Sequence, residues 1–194
     1  MAGTEGMVAR PVRARALSAL EPLSLAAVPL AMAACAILGV EASAGLTMLV
    51  LVLCLTLFLV GYEASRPTLR QLVPTAVLAA TAAAGRVLFA PFPDVKPVIA
   101  IVAGAALGRR EGFMVGALAA LASNAFFGQG AWTPWQMYAW GLVGYLAGAL
   151  FERGMLGRRG ALYAFGFASA LLYGLLLNGW YVLGFVRPLT WPGV

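Results

Sequence analysis

The chain has 194 residues, of which 62% are hydrophobic and only 10% are charged, with a formal net charge of +6. Soluble domains usually carry about 25% charged residues, so this composition excludes a water-exposed globule and predicts an all-α integral membrane protein. The chain has no histidine, which excludes histidine-ligated metal sites and histidine-based catalysis. The basic residues form no stripe, so we expect no nucleic-acid partner.

Residues 1–22 are predicted to form a polar cytoplasmic tail, and residues 23–72 are predicted to contain two N-terminal transmembrane helices. The first helix is expected over Leu23–Gly39 and the second over Leu46–Tyr62. A signal peptide is the alternative for the first helix, because Ala42-Ser43-Ala44 resembles a cleavage site. The long polar region before it and the span directly after it favour a retained helix.

Residues 73–194 are predicted to form a transmembrane core with five further spans. Thr68 and Gln71 have the spacing of a capping box, which marks the start of the first of these spans. The first of the five, which is the third span of the chain, is expected to end near Phe89. The other four are expected over Pro97–Leu107, Gly112–Phe127, Pro134–Phe151 and Ala161–Tyr181, with a tight turn at Gly108–Gly112.

The distribution of basic residues predicts the orientation. With a cytoplasmic N-terminus, ten of the thirteen lysines and arginines lie on the inside. Cytoplasmic loops carry an excess of these residues, so we expect a multi-pass protein of the plasma or inner membrane in this orientation. The loops around Asp94 and Gln129 then lie outside.

Three predicted spans carry small residues at every fourth position, which places them on one helix face. Such faces allow close helix packing in lipid. Two of the stripes end at an asparagine, Asn124 or Asn178, and these amides are expected either to share a polar cavity or to make interhelical hydrogen bonds. The rows are Ala76, Ala80 and Ala84, with Ala79 and Ala83 beside them, then Gly112, Gly116 and Ala120, and finally Gly166, Ala170 and Gly174.

Polar and aromatic residues cluster where the predicted spans meet the outside. Arg86 either snorkels to lipid headgroups or points into a cavity to meet an acidic or carbonyl group. The aromatic residues fit either an interfacial belt or the wall of a ligand site, and Gln136 could instead complete a capping box with Thr133, with Pro134 as the first helical residue. The residues predicted to bind substrate are Arg86, Phe92, Asn124, Phe127, Gln129, Trp132, Trp135, Gln136, Trp140, Asn178 and Tyr181.

Several segments together resemble the substrate-binding S components of energy-coupling factor (ECF) transporters. They are AAAGRVLF, PFPDVKPV, GAALGRREG, SNAFFGQGAWTPWQM and WGLVGYLAG, within about residues 75–178. The loop with Trp132 and Trp135 is most similar to S components assigned to cobalamin or related corrinoids. The resemblance implies an S-component-like core preceded by two extra helices.

The resemblance also implies partners and a function. It implies capture of a vitamin or related small molecule from outside, with cobalamin or a precursor as the first candidate. It implies association with a transmembrane coupling subunit and two cytoplasmic ATPases, with either alanine row of the third span at the contact and the Ala90–Lys96 loop over the site. S components usually have six core spans, whereas five are predicted here, so either the two extra N-terminal spans compensate, or the chain is incomplete, or the spans are miscounted.

No catalytic residues, cofactor or metal ligands are predicted. The chain carries no Walker motif and no nucleophile elbow, so energy for transport must come from another subunit. Two alternatives stay open. One is a structural or assembly subunit that binds only protein, and the other is an intramembrane enzyme that would depend on Asp94, Lys96, Glu111, Glu152 or tyrosines.

Overall fold

The computed structural model describes residues 5–38, 43–90 and 98–186, and these residues form seven helices and no strand. The all-helical expectation is confirmed for this part of the chain. The helices are α1 (Glu5–Leu38), α2 (Ser43–Ala64), α3 (Leu69–Leu88), α4 (Val98–Leu107), α5 (Arg109–Phe127), α6 (Trp132–Glu152) and α7 (Arg159–Phe185).

The described residues divide into two compact units. The first contains the chain up to Pro67 together with the end of α7 from Val182, and the second contains Thr68 to Tyr181. Each unit has its own packing.

In the first unit, α1 and α2 pack through faces of medium-sized apolar residues. Leu25, Val28 and Met32 are buried on α1, and their spacing of three and four residues places them on one side of the helix. Leu51 and Phe58 are buried on α2. The sequence predicts a polar tail over residues 1–22 with the first helix starting at Leu23, but α1 begins at Glu5, so most of that segment is helical.

In the second unit, α4, α5 and α6 pack backbone against backbone along a seam of glycines. A Cβ atom added to Gly112 of α5 would lie 2.6 Å from the Cα of Gly104 on α4 and 2.8 Å from the carbonyl carbon of Gly144 on α6. One added to Gly148 would lie 2.5 Å from the Cα of Arg109. Only residues without a side chain allow three helices to approach this closely.

Helix α3 packs on α5 through one of its two alanine rows. Ala79 and Ala83 are buried, whereas Ala76, Ala80 and Ala84 are exposed. A small cluster of residues from α3, α5 and α6 contains Ala82, Ala119, Ala120 and Trp140. The row of Ala79 and Ala83 is therefore occupied by packing within the chain, and the other row is open.

Four of the described helices are long and apolar enough to cross a membrane, judged by length and composition. These segments are Leu20–Leu38, Ala44–Ala64, Leu69–Leu88 and Arg159–Phe185. Helices α5 and α6 do not meet that criterion, although they carry the longest sets of buried residues. Helix α4 has ten residues, or about 15 Å at 1.5 Å per residue. Within the second unit, α5 and α6 are therefore mostly buried, whereas the long apolar α3 and α7 expose large side chains, as expected for contact with lipid.

Two local predictions can be compared with the structure: the capping box at the start of α3 and the turn between α4 and α5. The Thr68 N–H donates to Gln71 Oε1 at 3.0 Å, so the capping box of α3 is confirmed. The tight turn predicted over Gly108–Gly112 is shorter, because Gly108 alone, with φ of 113°, separates α4 from α5. This φ belongs to the left-handed region that glycine tolerates best.

Candidate functional site

Arg86 of α3 points toward α5. Its Nη1 donates to Ser123 Oγ at 2.7 Å and to Asn124 Oδ1 at 2.6 Å. The guanidinium carbon lies 4.8 Å from the centroid of the Phe127 ring and 5.4 Å from that of a Trp140 ring. Of the two expectations for Arg86, the structure therefore shows the contact with a carbonyl group, supported by two aromatic faces.

Asn124 is the centre of this polar network. Its side chain is completely buried in α5. Its Nδ2 donates to Thr133 Oγ1 at 3.1 Å and to Gln136 Oε1 at 2.7 Å, both on α6. With Oδ1 accepting from Arg86, both amide hydrogens and the amide oxygen have partners, which offsets the cost of burying the group.

Thr133 connects the network to the loop between α5 and α6. Its hydroxyl accepts from the Gly130 N–H at 3.2 Å and donates to Gln129 Oε1 at 2.9 Å. Gln129 Nε2 in turn donates to the backbone oxygen of Leu121 at 3.1 Å. One continuous chain of hydrogen bonds thus joins the C-terminal ends of α3 and α5, the loop and the first turn of α6.

The capping-box alternative for Gln136 is wrong. Helix α6 begins at Trp132, with Ala131 as its N-cap, so Pro134 is not the first helical residue. The Gln136 amide oxygen accepts from Asn124. The Gln136 side chain therefore bonds to the buried Asn124 amide of α5 and not to the backbone at the start of its own helix.

The tryptophans of this segment differ in burial. Trp135 and Trp140 are buried almost completely, whereas Trp132 is 45% exposed. Trp135 stacks on Trp180 of α7, with ring centroids 5.6 Å apart and an interplanar angle of 27°. An interfacial belt would keep the indoles at the surface, so it can describe Trp132 but not the other two. Trp132 lies over Gly130, where an added Cβ would be 2.7 Å from the indole Cε3.

Phe127 lies against Arg86, and the other predicted site residues are exposed on α7 or lie outside the described residues. Phe127 is exposed on one side and beneath the guanidinium on the other. Asn178 and Tyr181 of α7 are exposed, so the structure does not place Asn178 in a shared buried group with Asn124. Phe92, like Asp94 and Lys96, lies in the 91–97 segment outside the described residues.

Sequence reasoning did not single out Ser123, and it assigned Thr133 only to a helix cap. Ser123 is buried, and its hydroxyl accepts from Arg86 and donates to the Ala120 backbone oxygen at 3.2 Å. Its position next to Asn124, where the small-residue stripe of α5 ends, is the signal that could have indicated it.

The acids of the enzyme alternative that the structure describes are in contacts at the opposite end of these helices. Glu111 is 7% exposed, and its Oε1 accepts from Gln71 Nε2 at 3.2 Å. Glu152 Oε1 accepts from the Arg109 N–H at 3.4 Å, and the side chains of that pair approach to 4.0 Å. Within the described ranges no group of three or more histidine, cysteine or acidic residues could hold a metal ion.

No protein-family model, curated protein or solved structure matches this chain. The chemistry of the site is therefore argued from its own residues.

Proposed function

We propose that this chain is the substrate-binding S component of an ECF-type, ATP-driven importer. It captures a vitamin or related small molecule, with cobalamin or a precursor as the first candidate. The observation that carries the proposal is the hydrogen-bonded group of Arg86, Asn124 and Gln136 between aromatic side chains where α3, α5 and α6 meet.

The chemistry of this group suits binding without reaction. Guanidinium, amide and hydroxyl groups hold polar ligand atoms in place, and flat indole rings offer apolar contact. A charged residue in a membrane is costly, and such residues mark substrate pathways. Arg86 is paired here with two polar side chains of α5, Ser123 and Asn124, which supports a role for this end of the bundle.

The network also supports a site that is stable when empty. Asn124 and Thr133 use their hydrogens within the protein, so no large polar surface is left unpaired. Ligand atoms can replace these bonds one for one, and the net cost of the exchange is small because each lost bond is matched by a new one.

The contact with the coupling subunit is proposed to use the exposed row of Ala76, Ala80 and Ala84. The other row is already occupied by packing on α5. Arg109, Arg153 and Arg159 lie at the opposite helix ends from the site, and the positive-inside pattern places those ends in the cytoplasm. In this arrangement the site faces outward, and two cytoplasmic ATPases supply the energy.

Calorimetry on the purified protein tests the proposal. We expect one compound of a vitamin panel that includes cyanocobalamin and dicyanocobinamide to bind, and Gln136→Ala to weaken that binding. Tyr163→Phe, which changes only an exposed side chain of α7, is the control. If no vitamin binds even at millimolar concentration, the proposed function is wrong.

A structural or assembly subunit is the second candidate, and the internal pairing of Asn124 and Thr133 favours it. Under that alternative, Trp132→Ala and Gln136→Ala leave cellular vitamin uptake unchanged. Loss of uptake by both variants, with normal membrane levels of the protein, would exclude it.

A further inference from the structure

Trp135 carries a buried hydrogen-bond donor that none of the described residues pairs with. Its side chain has no solvent exposure, and its ring stacks on Trp180. The indole Nε1–H has no hydrogen-bond partner in the described part of the chain. An unpaired buried N–H lowers stability, and a phenylalanine could fill a stacked position without that cost.

A second donor lies on the next residue of α6. The Oε1 of Gln136 accepts from Asn124, while no hydrogen bond within the described ranges uses its Nε2. Asn124 and Thr133, by contrast, donate all their side-chain hydrogens. The polar side-chain groups on this turn of α6 that make no hydrogen bond to another described residue are therefore two N–H donors, Trp135 Nε1 and Gln136 Nε2.

We propose that the Trp135 N–H donates to the ligand and that Gln136 Nε2 is the second donor. The ligand class follows from this, and the inference rests on the proposed function. It is a neutral or anionic compound with carbonyl, carboxamide, carboxylate or ring-nitrogen acceptors at its edge.

Two substitutions remove the donors and keep the shape of the site. Trp135→Phe keeps an aromatic ring against Trp180 but has no N–H. Gln136→Glu keeps an oxygen that accepts from Asn124 and has no amide hydrogens. Tyr163→Phe serves as the control, because it removes a hydroxyl from an exposed position of α7.

The experiment measures binding of cyanocobalamin, dicyanocobinamide, riboflavin and biotin to each protein by calorimetry. The compound that binds the wild type most tightly is then compared across the variants. We expect Trp135→Phe to weaken its binding about 5- to 10-fold and Gln136→Glu by roughly 10-fold or more, the range for lost hydrogen bonds. The control is expected to bind like the wild type.

A second readout does not depend on any variant. The chain has five tryptophans, so nitrogen-15 labelling yields five indole N–H resonances. We expect one of them to move downfield when the bound compound is added, because a new hydrogen bond deshields the proton. If Trp135→Phe does not fold, this shift and the binding of Gln136→Glu decide the question.

The outcomes separate this inference from the proposed function. If the wild type binds a compound but Trp135→Phe binds it within twofold, the inference is wrong and the proposed function stands. An absence of any indole shift on binding leads to the same conclusion. If the wild type binds none of the compounds, both are overturned.

Discussion

Gly144 is the position where one added methyl group is expected to do the most damage. A Cβ atom there would collide with the carbonyl oxygen of Gly112 on α5, and it would lie 2.5 Å from the carbonyl carbon of that residue. It would also lie 3.1 Å from the carbonyl oxygen of Ala100 on α4. All three are backbone atoms, so no side-chain rotation can relieve the contact, and α6 must move away from both helices.

The size of the effect follows from two opposing terms. Overpacking a close interface typically costs about 1–3 kcal/mol, and backbone obstruction from two helices places Gly144→Ala near the upper end, at about 3 kcal/mol. Replacing a helical glycine with alanine returns up to about 1 kcal/mol through helix propensity. We therefore expect a net loss of about 2 kcal/mol in the free energy of unfolding.

Gly166→Ala is the matched control, because Gly166 is also helical and no atom of the described residues beyond its own helix lies within 4 Å of an added Cβ. It should gain up to about 1 kcal/mol from propensity alone. The two variants should then differ by about 3 kcal/mol, or roughly 6–12 °C in thermal midpoint for a chain of this size. Thermal denaturation in detergent, followed by tryptophan fluorescence, measures this difference. Equal midpoints would refute the close packing of α4, α5 and α6.

Three further predictions test the network, the turn and the alanine rows. Asn124→Leu removes the carbonyl partner of Arg86 and should cost about 1–3 kcal/mol for each buried group left unpaired; an unchanged denaturation midpoint would contradict this. Gly108→Ala forces a side chain into the left-handed region and should cost roughly 1–2 kcal/mol, measured in the same way, and a neutral result would show that the turn does not require glycine. Ala80→Leu should leave the denaturation midpoint and vitamin binding unchanged but prevent co-purification with the coupling subunit, whereas Ala83→Leu should lower the midpoint by overpacking the α3–α5 contact. The reverse pattern would show that the two rows have been assigned the wrong way round.

Capping-box spacing predicted the start of one helix correctly and that of another wrongly. The capping box of α3 could be read from the sequence because Thr68 and Gln71 are three residues apart and bond to each other. The same spacing at Thr133 and Gln136 gave a wrong prediction, because Asn124 of α5 bonds to both side chains. Spacing along one helix contains no information about a partner on another helix.

The small-residue stripes show the same limit. The stripes of α5 and α7 have equal spacing and both end at asparagine. The sequence therefore does not indicate which of them packs against another helix. A Cβ added at Gly112 or Gly116 would meet backbone atoms of α6, whereas one added at Gly166 lies more than 4 Å from every atom of the described ranges outside its own helix. A glycine row permits close approach, but the arrangement of the helices decides which row is used. For Arg86, the sequence predicted either snorkelling to lipid headgroups or contact with an acidic or carbonyl group. It could not decide between them, because the acceptor is Asn124 on another helix, α5.

The burial of the less apolar helices has a consequence for how the protein is made. Taken singly, α5 and α6 fall below the composition expected of a spanning helix, so a translocon would have little tendency to release either one into lipid alone. Their glycine faces become favourable only against each other and against α4. We therefore expect these three helices to enter the bilayer together, so that a nascent chain that stops after α5 is held back or degraded.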